Sequence, residues 1–312
     1  MLDNKILLLT GSGRSGTTLM TFILRRTYGV GLSAEPKNVL KLCDKFQRFD
    51  LQNERDFDKA IKLCLESTVF KHLETRIGLV ISDEELRNHI SEKSVEGFII
   101  GMFRYVAELR MRYYPKNKPI INKPGWKDPK DLINLKKIRN YLSGLYVINM
   151  IRNGENVAYS VTKLDWGATN PVAGAYEWKN AMRILINQRD LFNDGSYLEI
   201  KLEDINNELS DISNKIDNFF VKNIGRSNLS GLRLILSDNY KNKKIREYDK
   251  KGIQYRLVKY LVSETNYELG YSEYGYQKSN YFYDLLVFFY ILLDFPIRIK
   301  NRISRFIKSK YL

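Results

Sequence analysis

The chain has 312 residues, 44% of them hydrophobic and 28% charged, which excludes a globally disordered polypeptide and allows a sizeable core. Lys and Arg number 51 against 36 Asp and Glu, and the resulting net charge of +15 points to an anionic cofactor, substrate or surface. No zinc-finger, helix-turn-helix or ribonucleoprotein signature accompanies that charge, so nucleic acid is not the expected partner. Two cysteines (Cys43, Cys64) and two histidines (His72, His89) complete no recognisable metal site, and the thiols read as buried groups in a reducing compartment. The first strand pattern begins about four residues after Met1, so the reading expects no signal peptide, and a cytoplasmic protein.

Residues 5–18, KILLLTGSGRSGTT, read as a buried strand (Ile6–Thr10), a tight turn (Gly11, Gly13, Gly16) and a helix opening at Thr17 and running to about Tyr28. Amide groups of such a turn and the positive end of the helix form an anion site. Arg14 adds a charged fork, and Ser15, Thr17 and Thr18 add hydroxyl donors. Gly11 and Gly16 have the spacing of the nucleotide-binding loop G-x-x-x-x-G-K-[ST], but Thr17 replaces the lysine. That lysine is central to magnesium-dependent phosphoryl transfer, so a kinase or triphosphatase is disfavoured.

A link over 29–36 follows, with Pro36 placed to open a helix to about Phe49 and Glu35 at the lip of that helix. Residues 51–114 are polar and helical, with amphipathic runs at Asp56–Val69 and Ser94–Tyr113, and read as an inserted helical layer or lid. Pro119–Trp126 reads as a short strand ending in a loop, after which Lys127-Asp128-Pro129 opens a helix capped by Asp128. The continuous apolar run Leu145–Ile151 predicts a buried parallel strand. It is followed by Arg152 and a helix over about Glu155–Lys163 that carries Ser160. Further elements are a helix over Tyr176–Leu191 and a strand over Ser196–Leu202 closed by Glu203 and Asp204. Strands alternating with helices predict an α/β fold, a parallel sheet flanked by helices, with the site beyond the strand C-termini. Gly11–Thr18, Lys127, Arg152 and Glu203 all fall at such ends.

Residues 206–270 read as helices and loops. The end of the chain is an apolar segment, Tyr281–Phe295, of only 15 residues and containing Asp284 and Asp294, which is short for a membrane span. Pro296–Leu312 then carries six basic residues and no acids, interleaved with Ile and Phe. Two readings stay open for 281–312: an interfacial anchor on an anionic leaflet, or a helix pair docking on the core or on a second subunit.

Three stretches, in order, give the chain a resemblance to the PAPS-dependent sulfotransferases, which use 3′-phosphoadenosine 5′-phosphosulfate as sulfuryl donor. Gly11–Met20 resembles the loop holding the 5′-phosphosulfate, Trp126-Lys-Asp-Pro129 resembles the family's K-D-P element, and Ile151–Ser160 resembles its strand–Arg–helix–Ser element. Glu177-Trp-Lys179, Lys201-Leu-Glu-Asp204 and Glu268-Leu-Gly-Tyr271 are supporting pieces. The match covers roughly 5–271, without the middle helical layer, which divides the chain into a P-loop-like catalytic domain over 1–275 (insertion 51–114) and a tail over 276–312. The spacing from Arg14 to Glu35 and the wording R-S-G-T-T-L-M are similar to the branch of tyrosylprotein and bacterial carbohydrate sulfotransferases.

The resemblance implies PAPS as co-substrate, no metal, Glu35 as the base for an acceptor hydroxyl, and Lys127 and Arg14 as the cations of transfer. Gly13, Arg14, Ser15, Gly16, Thr17 and Thr18 would hold the 5′-phosphosulfate, and Arg152 with Ser160 the 3′-phosphate. Each has a plainer rival: a helix-end charge for Glu35, a surface lysine for Lys127, an ordinary helix hydroxyl for Ser160. Lys250-Lys-Gly252 takes the place of the family's late donor loop but departs from its wording, so the adenine contacts stay open. The expected acceptor is a carbohydrate or lipid-linked sugar; tyrosine in a peptide, or a non-catalytic nucleotide binder docked on a membrane, are the alternatives. Oligomeric state is not legible.

Overall fold

The structure, a computed structural model, describes residues 4–36, 39–113, 123–207, 209–224, 251–273 and 279–311. The chain divides into two compact units. The first comprises Met1–Gly11, Gly16–Met150 and Gln188–Asn242; the second comprises Ser12–Ser15, Ile151–Asn187 and Lys243–Leu312.

The first unit is built on five strands: β1 (Ile6–Gly11), β2 (Gly31–Ala34), β3 (Pro124–Lys127), β4 (Leu145–Ile151, whose last residue belongs to the second unit) and β5 (Tyr197–Lys201). They form one parallel sheet in the order β2-β3-β1-β4-β5. The continuous apolar runs of β1 and β4 are the reason those two sit at the centre: every residue of both is buried, as a strand covered on both faces requires. Leu7 and Leu9 of β1 and Tyr146, Ile148 and Met150 of β4 face one side. There they pack with helices α1 (Thr17–Thr27) and α11 (Leu209–Ile224) in a single core cluster.

Between β2 and β3 run α2 (Val39–Phe46), α3 (Glu54–Leu65), α4 (Thr68–Ile77), α5 (Asp83–His89) and α6 (Val95–Tyr113). Helix α6 packs on β2 and β3, and its Phe103 stacks on Trp126 with centroids 5.2 Å apart. Cys43 and Cys64 are free and fully buried here, and burial pushes the Cys43 thiol up to about 12. Helices α7 (Leu135–Tyr141) and α10 (Leu202–Asn207) complete this unit's named elements.

The second unit is helical: α8 (Gly154–Val161), α9 (Pro171–Ile186), α12 (Gly252–Glu268) and α13 (Tyr281–Tyr311), with α9 packing against the other three. Asn170 caps α9 by accepting from the Ala173 amide at 2.9 Å, ahead of Pro171 in the first turn.

Several expected boundaries move. The link over 29–36 contains β2, a four-residue strand too short to show a period. The described part of the helix expected from Pro36 begins at Val39 and ends at Phe46. Lys127 ends β3, and the helix expected after it opens at Pro129, capped as expected by Asp128, as a 3-10 segment (Pro129–Asn134) that runs directly into α7. The helix expected over Tyr176–Leu191 is α9, displaced toward the N-terminus. The tail is one helix that runs through Pro296. Residues 119–122 of the strand expected over Pro119–Trp126, and Lys250, lie outside the described residues.

The turn after β3 generates a pH dependence. The Trp126 indole donates to Asp131 Oδ2 at 2.7 Å, and Asp131 is almost wholly buried. Burial pushes its carboxyl up to about 6, against the indole hydrogen bond and with help from nearby Asp128. The unfolded carboxyl titrates near 3.9, so between about pH 4 and 6 the folded chain binds the extra proton. This contribution to stability is therefore greatest below pH 4, falls as pH rises through the window, and is level above it. Asp131→Asn keeps an oxygen for the indole and should remove that slope. Urea melts across the window should show wild type losing at most about 3 kcal/mol relative to the variant; parallel curves would refute the assignment.

Candidate active site

Lys127 ends β3, where the ladder registers it with Leu9 of β1 and with Ala34 of β2. Its side chain is only 9% exposed, and a cation so placed requires a counter-charge. Glu35, one residue beyond β2, supplies it and is tied to Lys127 a second time through the main chain. Its carboxylate accepts from Lys127 Nζ at 2.7 Å, and its backbone N–H donates to the Lys127 carbonyl at 2.7 Å. The main-chain bond carries the β2–β3 pairing one residue past Ala34. Glu35 has φ +39 and a side chain half exposed, so the carboxylate is pinned by one oxygen and open to solvent.

The second unit holds Ser12–Ser15 of the glycine turn together with Arg152 and Ser160. Ser15 closes the turn, its amide and hydroxyl both donating to the Ser12 carbonyl at 3.2 and 2.5 Å. Arg14 has φ +69; its Nε donates to Ser160 Oγ at 3.0 Å, and its carbonyl accepts from Arg152 Nη1 at 3.0 Å. Three residues expected to bind one ligand are thus tied directly together. Arg14 and Glu35 are the only non-glycine residues with positive φ among those described. Such a conformation costs about 1–3 kcal/mol and persists where the surroundings impose it.

The donor set fits a polyanion. Ser12 Oγ is buried with no hydrogen-bond partner, and a Cβ built on Gly13 would meet nothing within 4 Å, leaving room at the backbone. The side chains of this segment are cations and hydroxyls, without a carboxylate. In the first unit Gly16 (φ +91) precedes α1, and Thr17 and Thr18 begin that helix without an acidic residue in its first turn. A Cβ on Gly16 would lie 2.6 Å from Leu202 Cδ1, a side-chain end that can shift, so it is the backbone conformation that favours glycine there.

Arg152 stands between β4 and α8, and the start of α8 is held by two residues to which sequence reasoning gave no role, only one of them inside a motif it had named. Asn266 of α12, itself buried, accepts from the Gly154 amide through Oδ1 at 3.0 Å. Trp178 of α9 lies where a Cβ on Gly154 would go, at 2.5 Å. The E-L-G-Y element fixes Asn266 in turn, since the Tyr271 amide donates to the Asn266 carbonyl at 2.7 Å. The tryptophan lies within Glu177-Trp-Lys179, so that motif was a usable signal; a lone asparagine two residues before Glu268 carried none. Glu203 and Asp204 sit in the first turn of α10. Lys251 and Gly252 cap and open α12.

Asn266→Ala strands the buried Gly154 amide, a loss of about 1–3 kcal/mol. If Asn266 positions Arg152, the variant should also raise the Kd for adenosine 3′,5′-bisphosphate several-fold at a temperature where it remains folded. Asn266→Asp, which keeps the acceptor, should restore most of that affinity. Calorimetric titration of the three proteins checks this; an unchanged Kd in the alanine variant leaves Asn266 with a structural role alone.

Solved structures similar to the chain are the sulfotransferase STF9 from Mycobacterium avium (10% identity, covering 86% of this chain and 77% of that one, TM-score 0.44) and the sulfotransferase domain of the Synechococcus PCC 7002 olefin synthase (15%, 86% and 94%, TM-score 0.41). A sulfotransferase domain from the curacin biosynthetic pathway is similar at 14% identity, covering 87% and 99%, with TM-score 0.42. No curated protein matches the chain in sequence. The Sulfotransferase family, by contrast, matches residues 7–220, well over half of the chain and including β1 without its first residue, β2 to β5 and every site residue named from sequence. The protein therefore belongs to the Sulfotransferase family, whose usual sulfuryl donor is PAPS.

Proposed function

We propose that this chain transfers the sulfuryl group of PAPS to a hydroxyl of a carbohydrate or glycolipid, with Glu35 as general base. The observation that carries the reading is the pinned carboxylate: Glu35 is held in a left-handed conformation with one oxygen on Lys127. In the proposed step the acceptor oxygen forms a bond to sulfur as the bond from sulfur to the bridging phosphate oxygen breaks. The acceptor proton passes to Glu35, and adenosine 3′,5′-bisphosphate leaves with the electron pair. Lys127 stabilises the charge that develops on the transferred group or the bridging oxygen. Gly13, Arg14, Ser15, Gly16, Thr17 and Thr18 take the 5′-phosphosulfate, and Arg152 with Ser160 the 3′-phosphate. A sulfuryl group carries less charge than a phosphoryl group, which suits a loop with Thr17 where nucleotide triphosphatases have lysine. The free, buried cysteines support a reducing, cytoplasmic setting.

The acceptor class rests on the sequence likeness to carbohydrate sulfotransferases, and the net charge of +15 favours an anionic acceptor. Radiolabelled PAPS incubated with glycolipid, oligosaccharide and tyrosine-peptide pools should place label in the sugar-bearing pools. Label in tyrosine would overturn the acceptor class, and donor binding without transfer to any pool would favour a binder. Glu35→Gln keeps an oxygen for Lys127 and should lower kcat by about 10²-fold or more with nucleotide affinity unchanged. Full activity in that variant ends the base assignment. Arg14→Ala should weaken nucleotide binding by at least about tenfold, since it removes a charged donor; equal affinity would remove Arg14 from the donor site.

A further inference from the structure

Apart from the residues assigned to transfer, the largest feature without a role is the outer face of α13. Toward the rest of its own unit the helix turns Val287, Asp294 and Arg298. Asp294 Oδ1 accepts from the Thr169 amide at 2.6 Å and its hydroxyl at 2.7 Å, while Oδ2 pairs with Arg298 Nε at 2.5 Å. Arg298 also pairs with Glu177, and Asn170 Nδ2 donates to the Tyr290 carbonyl at 3.0 Å. Asp284 accepts from the Tyr260 hydroxyl at 2.8 Å. Both acids of the helix are thereby engaged within the unit.

Leu285, Phe288, Leu292, Ile299 and Ile303 recur at helical spacing along the other face, each 42–59% exposed. Phe282, Phe289, Leu293 and Phe295 widen the stripe and are also exposed. Exposed Lys300 and Arg302 fall on either side of the line through Ile299 and Ile303. From Leu285 to Ile303 the only acid is Asp294, which faces inward.

We propose that this face of α13 lies in the headgroup region of an anionic lipid surface, parallel to it. Breadth is the first argument, because a helix pairing with a copy of itself needs only a narrow seam of apolar residues, with charges of both signs beside it. Charge is the second. A second copy would bring cation against cation, whereas anionic headgroups neutralise Lys300 and Arg302 while the apolar stripe enters the acyl boundary. No helix among the described residues is long and apolar enough to cross a membrane, so α13 lies on the surface and does not span it. The proposal does not depend on the acceptor or on Glu35.

The full chain is sedimented with vesicles of phosphatidylcholine alone and of phosphatidylcholine containing about one-third phosphatidylglycerol. Binding to the anionic vesicles should be at least about tenfold tighter, and should weaken when salt is raised from about 0.1 to 1 M. Phe288→Ser with Leu292→Ser, and separately Lys300→Glu with Arg302→Glu, should each lower it about tenfold or more without changing the melting temperature. Equal binding to both vesicles, or to neither, overturns the proposal. So does a dimer in sedimentation velocity that the Phe288/Leu292 variant abolishes while vesicles are not bound. Sulfuryl transfer assayed on water-soluble acceptors should be the same in all variants, so failure here is separate from failure of the transferase reading.

Discussion

The arrangement of the first unit's site turns on one requirement: a lysine buried at the end of an interior strand must have a carboxylate within reach. Lys127 is placed by β3, and β3 lies between β2 and β1 in the sheet. The residue that follows β2 is consequently the one delivered beside it. A buried charge left alone costs several kcal/mol, of order 3–5 when one partner of a pair is removed. That exceeds the roughly 1–3 kcal/mol of a left-handed backbone at a non-glycine residue. The pair can therefore impose φ +39 on Glu35, and the strain is a consequence of the pairing. It also leaves the carboxylate half exposed, so one side of it faces solvent.

Arg14 shows the same economy in the second unit. A left-handed residue sends its side chain and its carbonyl in directions that an extended or helical residue would not, and here one meets Ser160 and the other Arg152. The Arg14–Ser160 bond is charged on the donor side alone, whereas an anionic oxygen in place of the neutral hydroxyl would add direct charge attraction. On the proposed reading an incoming phosphate or sulfate exchanges weak contacts for strong ones without having to assemble the donors first. Trp178 and Asn266 hold the backbone that follows Arg152. Pre-set donors of this kind, more than their number, are what positioning and electrostatic catalysis need.

What could be read from the sequence follows the strength of local signals. Strands β1 and β4 were legible because continuous apolar runs of strand length mean burial on both faces, and β4 was placed to the residue. The glycine turn was legible because its backbone adopts conformations that favour glycine, as at Gly11 (φ +150) and Gly16 (φ +91). Strand β2 was not, because four residues cannot display a period and its pairing with β3 is non-local. Helix α9 began earlier than expected although Asn170-Pro171, a cap followed by a first-turn proline, was available as a start signal. Asn266 was beyond reach, since its importance lies in a contact 112 residues away with an amide that any residue type would possess.

The tail shows the difference between composition and direction. As a string, an apolar segment interrupted by Asp284 and Asp294 and followed by cations supports anchoring and core packing equally. Winding it into one helix separates the two properties by angle. Asp294 points to Thr169 and Arg298 and so counts as packing, while Leu285, Phe288, Leu292, Ile299 and Ile303 point away and remain uncovered. An acid in an apolar helix is an argument against a lipid surface only if it shares the lipid-facing side. Here it serves the opposite end: by fixing the helix's rotation against α9, the Asp294 contacts determine that the apolar face and the cations beside it are turned outward together.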